Sequence, residues 1–309
     1  MPKVSVIVNC HNGEPFLKKS LHSIFEQSFK DWEIIFFNNA SNDQSEKIAE
    51  SFGKKIKIFN SSSLINLGQA RAEAVNLSSG EWLTFLDTDD LWMRNKLDLQ
   101  LSEIDKTDFA LGYAGVLEID KEGRVFRKQI PKYTSGDIFL KQLKNFEINM
   151  VTPIINSNFL AKHSLNFDHR FTASEEYNLF MKICALSPVK VQQQVLGSYR
   201  VYEESLTNHQ IKNWASERYL TLDYLKVNHE VLYENNKKFF DQAFLRGDYY
   251  KSRYLLSEGR TLEAQKILRK SAFKSTVFFF LYLLSFSKIA WKMMHQRKLK
   301  NLVTKFFNL

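Results

Sequence analysis

EWLTFLDTDDLW, residues 81–92, runs an apolar strand directly into a cluster of carboxylates. Trp82 to Leu86 follows the turn signal Ser78-Ser79-Gly80 and has the character of a buried strand. Asp87, Asp89 and Asp90 then stand within four positions of one another. Like charges crowded at a buried strand end repel one another and lose hydration, which is unfavourable unless a cation sits among them. Hard oxygen donors at this spacing suit a divalent metal, Mn²⁺ or Mg²⁺, which keeps coordination positions open for phosphate oxygens. The alternative is an acidic cap on a helix spanning Leu91 to Glu103. A cap needs one carboxylate, not three.

Upstream of this stretch, strands and helices alternate. Val4 to Val8 is β-branched, and the loop Asn9 to Gly13 leads into a helix that Pro15 opens and that runs to Gln27. Trp32 to Phe37 is a second strand, Gln44 to Phe52 a second helix and Ile56 to Phe59 a third strand. A further helix ends near Leu77, just before the opening stretch. Such alternation predicts an α/β fold, a Rossmann-like, mostly parallel central sheet with helices on both faces. Ligands of such sheets bind beyond the carboxyl ends of the strands, where Asn9–Gly13, Asn38–Asp43 and Asp87–Asp90 should converge. Downstream, Phe109–Tyr113, Val116–Ile119 and Arg124–Arg127 read as antiparallel strands with a turn at Asp120–Gly123. Helices follow near 137–144, 158–164 and 175–186, then a strand over Val195–Tyr202, and the chain is helical beyond Ile211. The expected domains are residues 1–210, a helical extension over 211–272 and a basic tail over 273–309.

Composition narrows the function class. With 309 residues and 44% hydrophobic content the chain can bury a sizeable core, and two cysteines are too few for a disulfide framework or a cysteine zinc site. The first ten residues show no signal-peptide pattern, which implies a cytoplasmic protein. The net charge of +9 suggests nucleic acid at first, yet ten of the 43 Lys and Arg, and none of the 34 Asp and Glu, fall in Ala264–Leu309. The remainder carries −1, so the partner of the positive charge should meet the tail and not the body. No G-x-G-x-x-G follows the first strand, which argues against a dinucleotide-binding oxidoreductase.

The blocks VSVIVNCHNGEPFLKKSLHSIFEQSFKDWEIIFFNNASND (4–43) and NLGQARAEAVNLSSGEWLTFLDTDDLW (66–92) resemble glycosyltransferase family 2, inverting enzymes of GT-A fold that use nucleotide sugars. The likeness extends over roughly the first 210 residues. It implies that Asp87, Thr88 and Asp89 form the family's DxD motif, whose side chains and divalent metal hold the sugar-nucleotide diphosphate, with Asp90 an alternate ligand. Arg71 matches the arginine that reaches the nucleotide or its phosphates. Asn9, His11 and Asn12 match the loop lining base and ribose, with no acid-base role for His11. Asn38 and Asn39 stand where the family often has acidic residues that read uracil. A neutral amide can accept the uracil N3 proton or donate to cytosine, so UDP is the default nucleotide. Glu175 and Glu176 match a Glu-Asp pair at a helix start, the second being the general base; the plainer reading is two acids favourable at a helix N-terminus. Arg200 matches a late arginine that approaches the phosphates, and Tyr202 stands where the family usually has a histidine.

In the tail, Val277–Phe286 is ten apolar residues, too short to span a bilayer, which takes about 20. With Lys288, Lys292, Arg297, Lys298, Lys300 and Lys305 after it and aromatics between, it reads as an interfacial helix on an anionic membrane surface. The alternative for the Phe-rich part is a core or dimer helix, which leaves a homo-oligomer open. The expectation is therefore a peripheral enzyme on the inner face of the cell membrane, glycosylating a lipid-linked glycan acceptor in bacterial surface-polysaccharide assembly. The rival is a catalytically impaired nucleotide-sugar-binding or scaffold protein.

Overall fold

A computed structural model describes residues 1–202 and 210–295. Among them the chain forms β1 (Val4–Cys10), α1 (Glu14–Phe25), β2 (Trp32–Asn38), α2 (Ser45–Glu50), β3 (Ile56–Asn60), α3 (Leu67–Asn76) and β4 (Trp82–Phe85). These four strands lie parallel in the order β3-β2-β1-β4. All of β2 and β4 and nearly all of β1 are buried, the pattern of strands covered on both faces. On one face Val4, Val6 and Val8 pack with Leu17, Leu21 and Ile24 of α1 and with Leu97, Leu101 and Ile104 of α4 (Lys96–Ile104). The helix α3 packs against β1 and β2 from the other side.

Beyond β4 the sheet becomes mixed. β8 (Ile154–Asn156) pairs antiparallel with β4, β6 (Leu111–Ile119) antiparallel with β8, and β9 (Val189–Arg200) parallel with β6. The hairpin of β6 with β7 (Val125–Gln129) has the expected turn, Gly123 taking a left-handed φ of 92°. Two expectations are corrected here. The segment 109–119 is one strand and not two; Gly115 lets neighbouring backbone approach so closely that a Cβ would lie 2.8 Å from the Gln129 carbonyl, and the ladder shifts register there. Leu91 and Trp92 start no helix: they form β5, paired with Ser198 and Gly197 of β9, and α4 begins only at Lys96. The Trp92 indole Nε1 donates to the Val151 carbonyl at 2.9 Å, fixing that strand in the core.

The chain divides into two compact units, Met1–Phe139 with Glu147–Ser205, and Leu140–Phe146 with Leu206–Leu309. The first contains the sheet together with α6 (Ser157–Lys162) and α7 (Glu175–Cys184). The short α5 (Phe139–Lys144) falls almost wholly in the second, followed by α8 (Ile211–Asn228), α9 (Glu230–Asn235), α10 (Lys237–Ser257), α11 (Thr261–Ala272), α12 (Thr276–Leu284) and α13 (Lys288–His295). Asp248 of α10 ties three of these helices, accepting from the Tyr219 hydroxyl and from Ser271 Oγ, each at 2.6 Å. No helix among the described residues is long and apolar enough to cross a membrane.

Candidate active site

The chain leaves β1 for β2 on one side and returns through β4 on the other, so a crevice opens between the carboxyl ends of β1 and β4, where parallel sheets bind ligands. The loops there are stitched together by short polar side chains. Asn12 takes φ of 53°, accepts from the Asn42 N–H at 2.9 Å and sends its own N–H to Ser41 Oγ at 3.0 Å. Gly13 has to be small, since a Cβ would sit 2.9 Å from Thr88 Cβ. His11 is exposed, with Nδ1 2.8 Å from the Asn39 carbonyl, and Asn9 donates to the Ala70 carbonyl at 2.9 Å. Both asparagines at the end of β2 are buried and engaged: Asn38 Oδ1 accepts from Ser41 N–H, and Asn39 donates to the Ile65 carbonyl at 2.8 Å while accepting from its N–H at 3.0 Å. The Asn39 amide therefore holds the strand to the loop before α3 through both of its atoms.

The three carboxylates after β4 part company. Asp87 is 36% exposed and accepts from Arg71 Nη2 at 2.8 and 3.2 Å. Asp89 accepts from the Tyr202 hydroxyl at 2.9 Å, and burial together with the charge of Asp87 holds its carboxyl above the usual range. Asp90 turns into the core, where its Oδ1 takes the Arg200 backbone N–H at 2.8 Å; burial and the neighbouring Asp89 and Asp87 push its carboxyl well up. Asp90 is thus neither a helix cap nor gathered with the other two. Among the described residues no three His, Cys, Asp or Glu side chains converge as a metal centre. Two carboxylates at the end of one strand still suit a hard cation, because Mg²⁺-type sites use one or two carboxylates and complete their shell with phosphate and water. Asp87 and Asp89 fit that description and Asp90 does not.

Arg71 of α3 is buried and joins segments far apart in sequence. One arm of its guanidinium holds Asp87; the other, Nη1, pairs with Glu175 in the first turn of α7. Burial works against its charge, but Asp87, Glu175 and Glu176 outweigh burial and raise its pKa further. The approach of α3 to α7 depends on Gly68, whose N–H donates to the Phe171 carbonyl at 3.1 Å and where a Cβ would lie 2.4 Å from the Asp168 carbonyl. Asn66 caps α3 through the Gln69 N–H and reaches the His169 carbonyl with its amide. Glu176, the next residue of α7, is half-buried; burial first, then Glu175, raises its carboxyl pKa, and Arg71 lowers it.

Arg200 lies beside the Asp87–Asp90 loop. Its Nε donates to the Asp89 carbonyl and Nη1 to the carbonyls of Asp120 and Lys121, all at 2.8–2.9 Å, with the guanidinium 4.5 Å over the Phe16 ring. These contacts bind loops together and leave Tyr202 to face Asp89. Sequence reasoning marked Tyr202 only as a missing histidine; the signal was a polar aromatic two residues after a strand-end arginine. It gave no sign of the Arg71–Glu175 pair.

Residues 5–166 match the model of glycosyl transferase family 2. The chain is 25% identical over 255 residues to the UDP-Glc:alpha-D-GlcNAc-diphosphoundecaprenol beta-1,3-glucosyltransferase WfgD of Escherichia coli, covering 76% of this chain and 98% of that one. It is 30% identical over 231 residues to the uncharacterized glycosyltransferase RT0329 of Rickettsia typhi, with 73% and 72% covered. Among solved structures, S. aureus TarS 1–349 in complex with UDP-GlcNAc superposes with a TM-score of 0.66 at 18% identity over 86% of this chain and 79% of that one. The mannosyltransferase PcManGT from Pyrobaculum calidifontis, in complex with GDP-Man and Mn2+, gives 0.57 at 13%, over 96% and 88%. These likenesses establish a GT-A fold. The parallel half-sheet ending in Asp87-Thr88-Asp89, matched across residues 5–166, makes the chain a member of glycosyltransferase family 2 and a glycosyltransferase.

Proposed function

We propose that the protein is an inverting transferase that moves a sugar from a nucleotide sugar, by default a UDP-sugar, to a hydroxyl of a lipid-linked glycan acceptor at the inner face of the cell membrane. The observation that carries this is the Arg71 bridge, which draws the Asp87 carboxylate and the start of α7 to one crevice. Glu176 is the general base: it accepts the proton of the attacking hydroxyl, which approaches the anomeric carbon from the face opposite the diphosphate. Its raised pKa suits a group that must take up a proton near neutral pH. Glu175, neutralised by Arg71, lines the same helix start and keeps Arg71 fixed. Asp87 and Asp89 hold a divalent cation, Mn²⁺ or Mg²⁺, which when bound supplies positive charge where the leaving diphosphate gains negative charge. Thr88 lies between them against Gly13, and Asn9, His11 and Asn12 line the nucleoside side of the crevice. A UDP donor and a polyprenyl-diphosphate acceptor are supported by the activity of the WfgD relative, and the UDP-GlcNAc complex of TarS favours the same nucleotide.

A second reading, a nucleotide-sugar-binding protein with impaired catalysis, draws on the commitment of the Asn39 amide to Ile65. A donor panel separates the two. UDP-, GDP-, dTDP- and CMP-sugars with Mn²⁺ or Mg²⁺ are scored first by thermal protection and then by transfer to a membrane-extracted acceptor. Protection by UDP-sugars with transfer abolished in Glu176→Gln is the expected outcome. Protection without transfer by the parent protein establishes the second reading, and protection by GDP-sugars alone removes the UDP assignment.

A further inference from the structure

The carboxyl-terminal helices carry a second arrangement that the transfer reaction does not use. A groove of about 520 Å³ runs along α11 beside α12, within the size range of small-ligand clefts. Lys266, Arg269 and Lys270 line it, and none has an ion-pair partner among the described residues. Three exposed cations at i, i+3 and i+4 share one helix face, so the groove presents a concentrated positive field that attracts an anion. Leu262, Phe273 and Tyr282 form its other walls, with Gln265, whose amide donates to the Ser285 carbonyl at 3.3 Å. Leu262 and Phe273 stand 82% and 85% exposed at the two ends, and Tyr282 closes the side toward α12.

The surface next to the groove is equally unusual. α12 is apolar around its whole circumference: Phe278 and Leu281 are buried in the helical core, yet Phe279, Phe280 and Leu283 face outward, followed by exposed Phe286. The Tyr282 ring in the groove packs edge-on against Phe286, 5.1 Å between centroids, so the cationic cleft passes directly into the apolar stripe. In α13 exposed Ile289 and Met293 recur one turn apart, flanked by exposed Lys288 and Lys292. No acidic residue occurs from Ala264 to Leu309. A soluble polyanion would use the cations but leave the stripe in water; a hydrocarbon chain alone would use the stripe but not the cations. An amphiphile uses both.

We propose that the groove between α11 and α12 is a binding site for the phosphate headgroup of an anionic membrane lipid, with the lipid chains lying on the Phe279–Phe286 stripe. Lys266, Arg269 and Lys270 give charge-assisted hydrogen bonds to phosphate oxygens, and Leu262, Phe273 and Phe286 enter the headgroup boundary. The site deepens the reading of the tail as membrane-associated and rests on it.

Flotation of the full-length protein with phosphatidylcholine vesicles, with and without phosphatidylglycerol, tests both levels. The parent should float only with the anionic vesicles. Lys266→Gln/Arg269→Gln/Lys270→Gln should lower that partitioning by about a hundredfold, taking roughly fivefold for each basic residue at an anionic surface. Lys274→Gln/Lys288→Gln/Lys292→Gln removes the same charge at exposed residues that do not line the groove and should cost roughly tenfold less. Equal losses in the two triple variants overturn the headgroup site while leaving membrane association intact; failure of the parent to float at all removes membrane association itself. Phe279→Ser/Phe280→Ser/Leu283→Ser should also lose anionic-vesicle binding, and parent-like flotation of that variant would overturn the seating of lipid chains on the stripe. Should the groove variant lose affinity for RNA and keep it for vesicles, a nucleic acid takes the place of the lipid and the proposal falls. Thermal melts equal to the parent's confirm that these surface variants remain folded.

Discussion

At the residue scale the decisive side chain is Arg71. A guanidinium this deeply buried is retained only if its charge is matched, and Asp87 and Glu175 match it from opposite arms. Removing it takes the Nη1 ion pair from Glu175, which is 2% exposed. Arg71→Met is therefore expected to destabilise the fold by roughly 3–5 kcal/mol in urea unfolding. Arg71→Met/Glu175→Met removes both members of the buried pair and should regain much of that stability without regaining donor binding, which separates the structural part of the clamp from its part in the site. Recovery of both would show that Arg71 does nothing for the donor. Glu176 yields a pH prediction. Burial and the adjacent Glu175 move its carboxyl up to about 8, and a base acts only when deprotonated. Transfer should therefore rise with pH through a limb near 8, well above the ordinary carboxylate range, in a kcat/KM profile. A profile already flat from pH 5 upward would exclude Glu176 as that base.

At the level of elements, the site depends on how closely α3 can approach the segment before α7. Gly68 has no Cβ to hold them apart, and an added methyl would meet two backbone carbonyls, Asp168 at 2.4 Å and Phe171 at 2.6 Å. Backbone cannot step aside as a flexible side-chain end can, so Gly68→Ala should cost roughly 1–3 kcal/mol and withdraw Arg71 from Glu175. Thermal unfolding and donor protection, measured together, should both fall; unchanged donor protection would show that the helix start tolerates displacement. The same scale explains where sequence patterns misled. Leu91 and Trp92 look like the first residues of a helix, but they pair with Ser198 and Gly197 of β9 while the Trp92 indole donates to the Val151 carbonyl, so tertiary pairing prevailed over local preference.

Across the whole molecule, stability and chemistry sit at opposite ends of the strands. At the amino ends Glu33 of β2 is buried, accepts from Ser5 Oγ at 2.6 Å and from the Ser79 N–H at 2.9 Å, and pairs with Lys57. Burial alone would raise its pKa, but Lys57, Ser5 and Ser79 together bring it down to about 2. A carboxylate depressed in the folded state contributes stability above its unfolded pKa of about 4.3, and that contribution disappears as pH falls through about 2. Glu33→Gln should thus lower stability by roughly 2 kcal/mol at pH 7, with the gap to the parent closing toward pH 2 in denaturant titrations. A gap constant with pH would assign the loss to packing and not to charge. Transfer per folded molecule should be untouched, because Glu33 lies at the end of the sheet away from the crevice.

Local sequence by itself determined the parallel half-sheet, since apolar runs such as Trp82–Phe85 between helices at this spacing admit few other arrangements. It also placed the loops of Asn9, Asn38 and Asp87 at one edge, because strand direction fixes which ends meet. The roles of groups that satisfy one another across long separations emerge with the packing. Arg71 and Glu175 lie 104 positions apart, Asp90 and Arg200 lie 110 apart, and Tyr202 meets Asp89 across 113. A residue's neighbours in the chain set its backbone preference, whereas the charge state and direction of a buried polar group are set by whichever partner the packing delivers. Three adjacent aspartates that look equivalent in the chain therefore become one half of an arginine clamp, one acceptor of a phenol and one strut of the core.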